Sequence, residues 1–100
     1  MKINLTQQIM RIDDKPFENP ETKTPYTLKD VVIEAVLAPE AKEDNKKKYS
    51  KYELYLKLKA AGKEIDLTTD EISEIKRLIG EVKPALIMGQ AWDMLEGGKK

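Results

Sequence analysis

Apolar and polar positions divide the chain unevenly. Lys2–Leu5 alternates, with Ile3 and Leu5 on one side, and Gln8–Ile12 also has strand character. Asp13-Asp14-Lys15-Pro16 supplies turn chemistry after it, and Glu18–Pro25, with two prolines, Asn19, Thr22 and Thr24, reads as an extended loop. The first quarter is therefore expected to hold a short β element, either a hairpin or lone strands.

Helical spacing begins at Thr27. This residue is a good N-cap, Asp30 stands at N3, and Tyr26 and Val31 can staple across the cap. Leu28, Val31, Val32, Ala35 and Val36 then follow the period of a helix. Ile33 and Leu37 add a second apolar side, as expected of a helix deep in the core. The β-branched run Val31-Val32-Ile33 would also suit a strand. Pro39 ends the segment, and Glu40–Lys48 is a charged run that reads as a solvated loop leading into the next helix.

Tyr49–Ala61 carries two signals. Tyr52, Leu54, Leu56 and Leu58 alternate with Glu53, Tyr55, Lys57 and Lys59, which is a strand pattern. The composition favours a helix, and Gly62 stands where a helix C-cap belongs. As a helix, the segment has one stripe of Tyr49, Tyr52, Leu56 and Ala60, and a second of Leu54, Leu58 and Ala61 roughly opposite. Two stripes imply a helix sandwiched in the core, a contact between subunits, or a strand.

Leu67, Thr68, Glu71 and Ile72 make a complete capping box with its staple, followed by Ile75, Leu78, Ile79 and Val82 on one face. Asp70 and Glu71 suit the positive end of that helix. Glu64–Leu67, just before, is a short extended piece able to pair with Lys2–Leu5. Pro84 can open a last helix containing Leu86, Ile87, Met88, Ala91, Trp92 and Leu95, closed by Gly97-Gly98 ahead of Lys99-Lys100. Gly89 within it suggests close helix packing.

The expected fold is α+β and mainly helical: a short N-terminal β element followed by about four packed helices. One hundred residues suit a single small domain, with 1–25 as β element and loop and 26–97 as helical core. The core should be aliphatic, because only one Phe, one Trp and four Tyr are present.

Composition narrows the chemistry. There is no Cys and no His, which removes thiolate nucleophiles, disulfides, thiolate metal sites and the commonest general base. No glycine pattern matches a phosphate loop, Asp13-Asp14 lacks the spacing of a calcium loop, and Ser50 and Ser73 have no histidine to activate them. The sequence thus predicts no enzyme, no cofactor and no metal. Residues Met1–Leu5 lack the apolar stretch of a signal peptide, no segment reaches membrane-spanning length, and a cytoplasmic location is expected.

Charge is balanced at 18 basic and 18 acidic residues, with nine of each sign in each half. That balance argues against a phosphate-binding domain, although a basic patch can hide in a neutral total. Tyr49, Tyr52, Leu54, Tyr55, Leu58 and Trp92 are the candidate interface residues, since tyrosine and tryptophan are enriched at protein contacts. Lys47, Lys48 and Lys51 beside the tyrosines are the candidate phosphate contacts of the alternative, a nucleic-acid-binding module.

Several stretches together carry a resemblance: Thr27-Leu28-Lys29-Asp30 with its aliphatic run, Lys51-Tyr52-Glu53-Leu54 with Lys57, Asp66-Leu67-Thr68 with Glu71-Ile72, and Gly89-Gln90-Ala91-Trp92 with Leu95-Glu96. This pattern resembles small proteins of tailed bacteriophages and prophages. The likeness implies expression in a bacterial host and a role in the phage life cycle, and it carries no functional residues with it. The expected function is a non-enzymatic protein–protein interaction factor, self-associating, that serves virion assembly or binds a host protein.

Overall fold

Ile3 is buried and its neighbours Lys2 and Asn4 are exposed, so the first strand lays a single apolar side chain on the core. The structure, a computed structural model, describes residues 2–20, 23–40 and 42–96. Its elements in chain order are β1 (Lys2–Asn4), α1 (Leu28–Leu37), α2 (Asn45–Ala60), β2 (Glu64–Asp66), α3 (Thr69–Val82) and α4 (Ala85–Leu95). The α+β, mainly helical architecture read from the sequence is present.

β1 finds its partner far along the chain. It pairs antiparallel with β2 in the register Lys2↔Asp66, Ile3↔Ile65 and Asn4↔Glu64, the pairing anticipated for Glu64–Leu67. Each strand contributes one inward isoleucine, Ile3 and Ile65. Residues 8–27 close on themselves through single bridges, Gln8↔Thr27, Met10↔Pro16 and Glu18↔Pro25, with no longer ladder among the described residues. Two tight reversals join them. In the first, Asp14 takes φ 65° and its amide donates to the Arg11 carbonyl at 3.0 Å. In the second, Lys23 takes φ 59° and its amide donates to the Asn19 carbonyl at 2.8 Å. Asp tolerates the left-handed region better than most residues, which explains Asp13-Asp14 as turn chemistry. In the stretch expected as a loop at 18–25, Glu18 bridges Pro25 and Lys23 bonds back to Asn19, while Glu21 and Thr22 lie outside the described residues.

α1 starts at the predicted cap. Thr27 Oγ1 accepts from the Asp30 amide, and the Asp30 carboxylate accepts from the Thr27 amide at 3.0 Å. This reciprocal cap sets Val31-Val32-Ile33 on a helical path despite their β preference. Leu28, Val31, Val32, Ala35 and Val36 are all buried, and both α2 and α3 pack on α1. α3 has the second reciprocal cap, Thr68 with Glu71, and buries Ile72, Ile75, Leu78 and Ile79 on one face. α4 packs on α3 and reaches α1 and β1. Gln90 fastens α4 to the N-terminal segment: its amide nitrogen donates to the Met10 carbonyl at 2.8 Å and its oxygen accepts from the Met10 amide at 2.9 Å.

One hydrophobic cluster runs through the molecule, from Ile3, Leu5 and Ile9 across α1 and α3 to Ala91 and Leu95. The close approach expected at Gly89 lies elsewhere. A side chain at Gly89 would meet nothing within 4 Å, whereas at Gly80 it would touch the Trp92 ring at 3.6 Å. The closing residues Gly97, Gly98, Lys99 and Lys100 lie outside the described residues.

Candidate functional site

α2 is helical throughout, which resolves the conflict over Tyr49–Ala61, and it begins earlier than its apolar residues suggest. Asp44 caps it, accepting from the Lys47 amide at 2.8 Å, so Lys46, Lys47 and Lys48 lie in its first turn. A lone cap and no carboxylate inside that turn leave three cations at the positive end of the helix dipole. Lys57 and Lys59, in the last turn, are favourably placed.

The two stripes have different fates. Leu58 is fully buried and Leu54 half-buried, both packed into the core cluster, with Ala61 beside them. Leu58 therefore has no surface to offer a partner, which corrects its placement among the interface residues. At 100° per residue the other stripe occupies about 80° of the helix circumference on the far side. There Tyr49 is 61% exposed, Tyr52 48% and Leu56 42%, and Ala60 is exposed as well. Tyr55 lies between the two sides, half-buried against the core.

The tyrosines form a continuous ridge. Ring centroids of Tyr49 and Tyr52 are 6.1 Å apart, those of Tyr52 and Tyr55 6.4 Å, and the rings are tilted on one another. Each tyrosine thus already has an aromatic neighbour along the helix.

Lysines border the ridge on both edges. By the same helical geometry Lys48 and Lys59 flank one side, and Lys46 and Lys57 the other. In all, α2 holds six lysines against the single acid Glu53, in a chain of zero net charge. The basic surface that the balanced total concealed is the outer face of this helix. Lys57 donates to Glu71 at 2.9 Å. Among the described residues, no ion pair includes Lys46, Lys48 or Lys59.

Lys51 belongs to a different system, which corrects its assignment as a phosphate contact. It is 7% exposed and its ammonium donates to the Ala38 carbonyl at 2.8 Å, to Glu40 at 3.1 Å and to Glu43. Burial works to lower its pKa, and the hydrogen bonds to Glu43 and Glu40 outweigh that and raise it. Glu40 also accepts from Arg77 of α3 at 3.1 Å, and this bond holds its carboxyl below the usual glutamate range. Arg77 is gripped further by Glu74 at 2.6 Å and Glu81 at 2.8 Å. The charged run after Pro39 is therefore partly a clasp joining α1, α2 and α3. Sequence reading missed it because Glu40, Lys51 and Arg77 are far apart and no local spacing links them.

Trp92 faces inward. Its Nε1 donates to the Lys76 carbonyl at 3.1 Å, and Lys76 Nζ lies 4.8 Å from the ring centroid, a cation–π contact across α3 and α4. It ties two helices together and is removed from the interface set.

Between α2 and α3 runs an open groove of about 730 Å³, lined by Lys46, Lys47, Leu54, Lys57, Asp70 and Glu74 among others. Three of its carboxylates are engaged in capping and pairing: Asp44 caps α2, Glu71 accepts from the Thr68 amide and from Lys57, and Glu74 is paired with Arg77. No group of three or more metal-ligating side chains gathers among the described residues. No described helix is long and apolar enough to cross a membrane.

Of the nine residues singled out from the sequence, the structure brings Tyr49, Tyr52 and Lys48 onto or beside one accessible surface, with Tyr55 at its inner border, while Lys47 and Leu54 line the groove toward α3. It takes Leu58 and Lys51 inside and half-buries Trp92 between α3 and α4. It adds Leu56, Lys46 and Lys59. The signal for Leu56 was already in its spacing, four residues after Tyr52. No protein-family model, no curated protein and no solved structure matches this chain.

Proposed function

We propose that this chain is a small, non-enzymatic interaction factor of a tailed phage or prophage, working in the bacterial host cell by docking another protein through the outer face of α2. The observation that carries the proposal is the row Tyr49, Tyr52 and Leu56, at positions i, i+3 and i+7, exposed on the side of the helix opposite the core. Three large apolar side chains at that spacing are the usual anchors of helix-mediated recognition. The fold makes little use of them, since Leu58 and the half-buried Leu54 already fill the inner face. The phage assignment rests on the sequence resemblance alone.

A heterologous partner, in virion assembly or bound as a host target, fits this face better than self-association. Lysines occupy both ends of α2, so pairing two copies of the face in either relative direction sets lysine against lysine.

Light scattering on the purified chain, run beside co-purification from phage-producing cells, tests the reading. The expected result is a monomer that co-purifies with a defined phage or host protein, lost in Tyr52→Asp and Leu56→Asp. A chain that recovers the same proteins with and without these substitutions, and stays monomeric in both forms, overturns it.

Nucleic-acid binding is the second reading, favoured by Lys46, Lys48 and Lys59 lying beside exposed tyrosines. Steep loss of single-stranded DNA binding with salt, and its abolition in Lys46→Glu/Lys48→Glu, would establish it.

A further inference from the structure

Resting on the docking role of α2, we infer that its partner is an acidic amphipathic helix, lying along α2 with an apolar stripe on Tyr49, Tyr52 and Leu56 and carboxylates against the flanking lysines.

Three observations carry this. The first is the layout: an apolar seam with cations at both borders is one half of a two-helix contact whose flanking charges choose the partner. The complementary half has Leu or similar residues on its seam and Glu or Asp beside it.

The second is the cost of the lysines to the fold. Lys46, Lys47 and Lys48 sit in the first turn of α2, where the helix dipole disfavours cations; Asp44 caps that turn and Glu74 interacts with Lys47, which leaves Lys46 and Lys48. Their neighbours in the fold do not account for them either, since Lys46 and Lys48 join no ion pair among the described residues. An acidic partner gives these charges a counterpart that the monomer lacks.

The third concerns the competing anions. Leu56 and Ala60 extend the seam beyond the tyrosines and offer nothing for a base to stack on. Tyr52 has a ring neighbour on each side along the ridge, at 6.1 Å and 6.4 Å, so no open aromatic slot is available between them. Glu53 projects near the Lys46 edge and opposes a uniform phosphate backbone or an anionic lipid surface. A folded peptide can place a neutral or basic residue opposite that one carboxylate.

The test uses the whole chain and four probes of defined chemistry. A fluorescein-labelled helical peptide carries leucines at i, i+3 and i+7 with glutamates beside them. A second peptide replaces each glutamate by lysine, a third probe is an oligo-dT strand, and the fourth is vesicles containing phosphatidylserine. The glutamate peptide is expected to bind best. Its affinity should fall about tenfold in Leu56→Ala, about a hundredfold in Lys46→Glu/Lys48→Glu/Lys59→Glu, and markedly with added salt. The triple variant should in turn gain affinity for the lysine peptide.

Equal binding of the two peptides, tighter binding of oligo-dT or vesicles, or insensitivity to Leu56→Ala overturns the inference. The two readings fail separately. A partner that depends on Tyr52 and Leu56 in co-purification, with no preference for the glutamate peptide, sinks the acidic helix and leaves the docking face standing. Circular dichroism on each variant checks that it is folded, and all four substituted side chains are exposed.

Discussion

α2 and α3 are neighbours of similar length, and both pack on α1. They use their apolar residues in opposite ways. α3 opens with a reciprocal capping box, carries Asp70 and Glu71 where the dipole favours them, and buries Ile72, Ile75, Leu78 and Ile79. Its cap, its first turn and its buried face agree with the fold, although Gly80 and Glu81 in its last turn depart from helix preference. α2 opens with a single cap and three lysines at the wrong end, buries only Leu58 and the ion-paired Lys51, and leaves two tyrosines and a leucine outside. A helix whose cap and apolar face both serve the core is explained by folding. One that breaks several, at positions sharing one face, points to a partner.

The largest effect should fall on α3. Ile79→Ala removes a side chain with no exposed surface from the cluster shared with α1, and should lower unfolding free energy by about 2–5 kcal/mol in urea titration. A loss below about 1 kcal/mol would mean the α3 face is less well packed than its burial indicates.

On α2 the inner polar clasp comes next. Lys51→Ala leaves Glu43 and Glu40, both mostly buried, without their cation, and is expected to cost about 3 kcal/mol. Arg77 still reaches Glu40, which keeps the figure toward the lower end of the usual range. Lys51→Met should be less harmful than Lys51→Ala if packing of the lysine stem contributes, and the two variants together separate charge from volume.

Acid should weaken the same clasp. Hydrogen bonds from Arg77 hold the Glu40 and Glu74 carboxyls below the ordinary glutamate value of about 4.3. A folded pKa below the unfolded one gives stability that is complete above the unfolded value and is lost as pH falls through the folded value. Urea midpoints measured from neutral pH down to about pH 3 should therefore decline below roughly pH 4.3. Arg77→Gln should flatten part of that decline.

The helix starts give a smaller contrast. Thr68→Ala breaks the reciprocal cap of α3 and should cost about 1 kcal/mol. Lys46→Glu, which puts an acid into the first turn of α2, should instead stabilise the isolated chain by about 0.3–1 kcal/mol. Destabilisation by Lys46→Glu would show that its present charge serves the fold.

Much of this was legible in the sequence because it is local. Thr27 with Asp30 and Thr68 with Glu71 are spaced by three residues, and both caps form. The pairing of Glu64–Asp66 with Lys2–Asn4 was also readable, because few other extended segments were available to either strand. Leu58 and Trp92 were misplaced for one reason. Apolar spacing reveals that a helix has two sides and does not reveal which side meets the rest of the chain. Lys51 was misread because its partners Glu40 and Glu43 come from a run that looks like solvated loop. The lysine and tyrosine face at 46–59 was legible as a candidate, but which of its lysines share a surface was not, because that depends on how α2 winds them around its buried side.

Two leucines of α2, one turn-half apart, test the central claim most directly. Urea denaturation of Leu58→Ala and Leu56→Ala, measured together, compares the inner and outer stripes under the same chemistry. The account predicts a loss of about 2–5 kcal/mol for the buried Leu58 and less than about 1 kcal/mol for Leu56. Similar losses for both would contradict it, because the outer stripe would then belong to the fold and not to a partner.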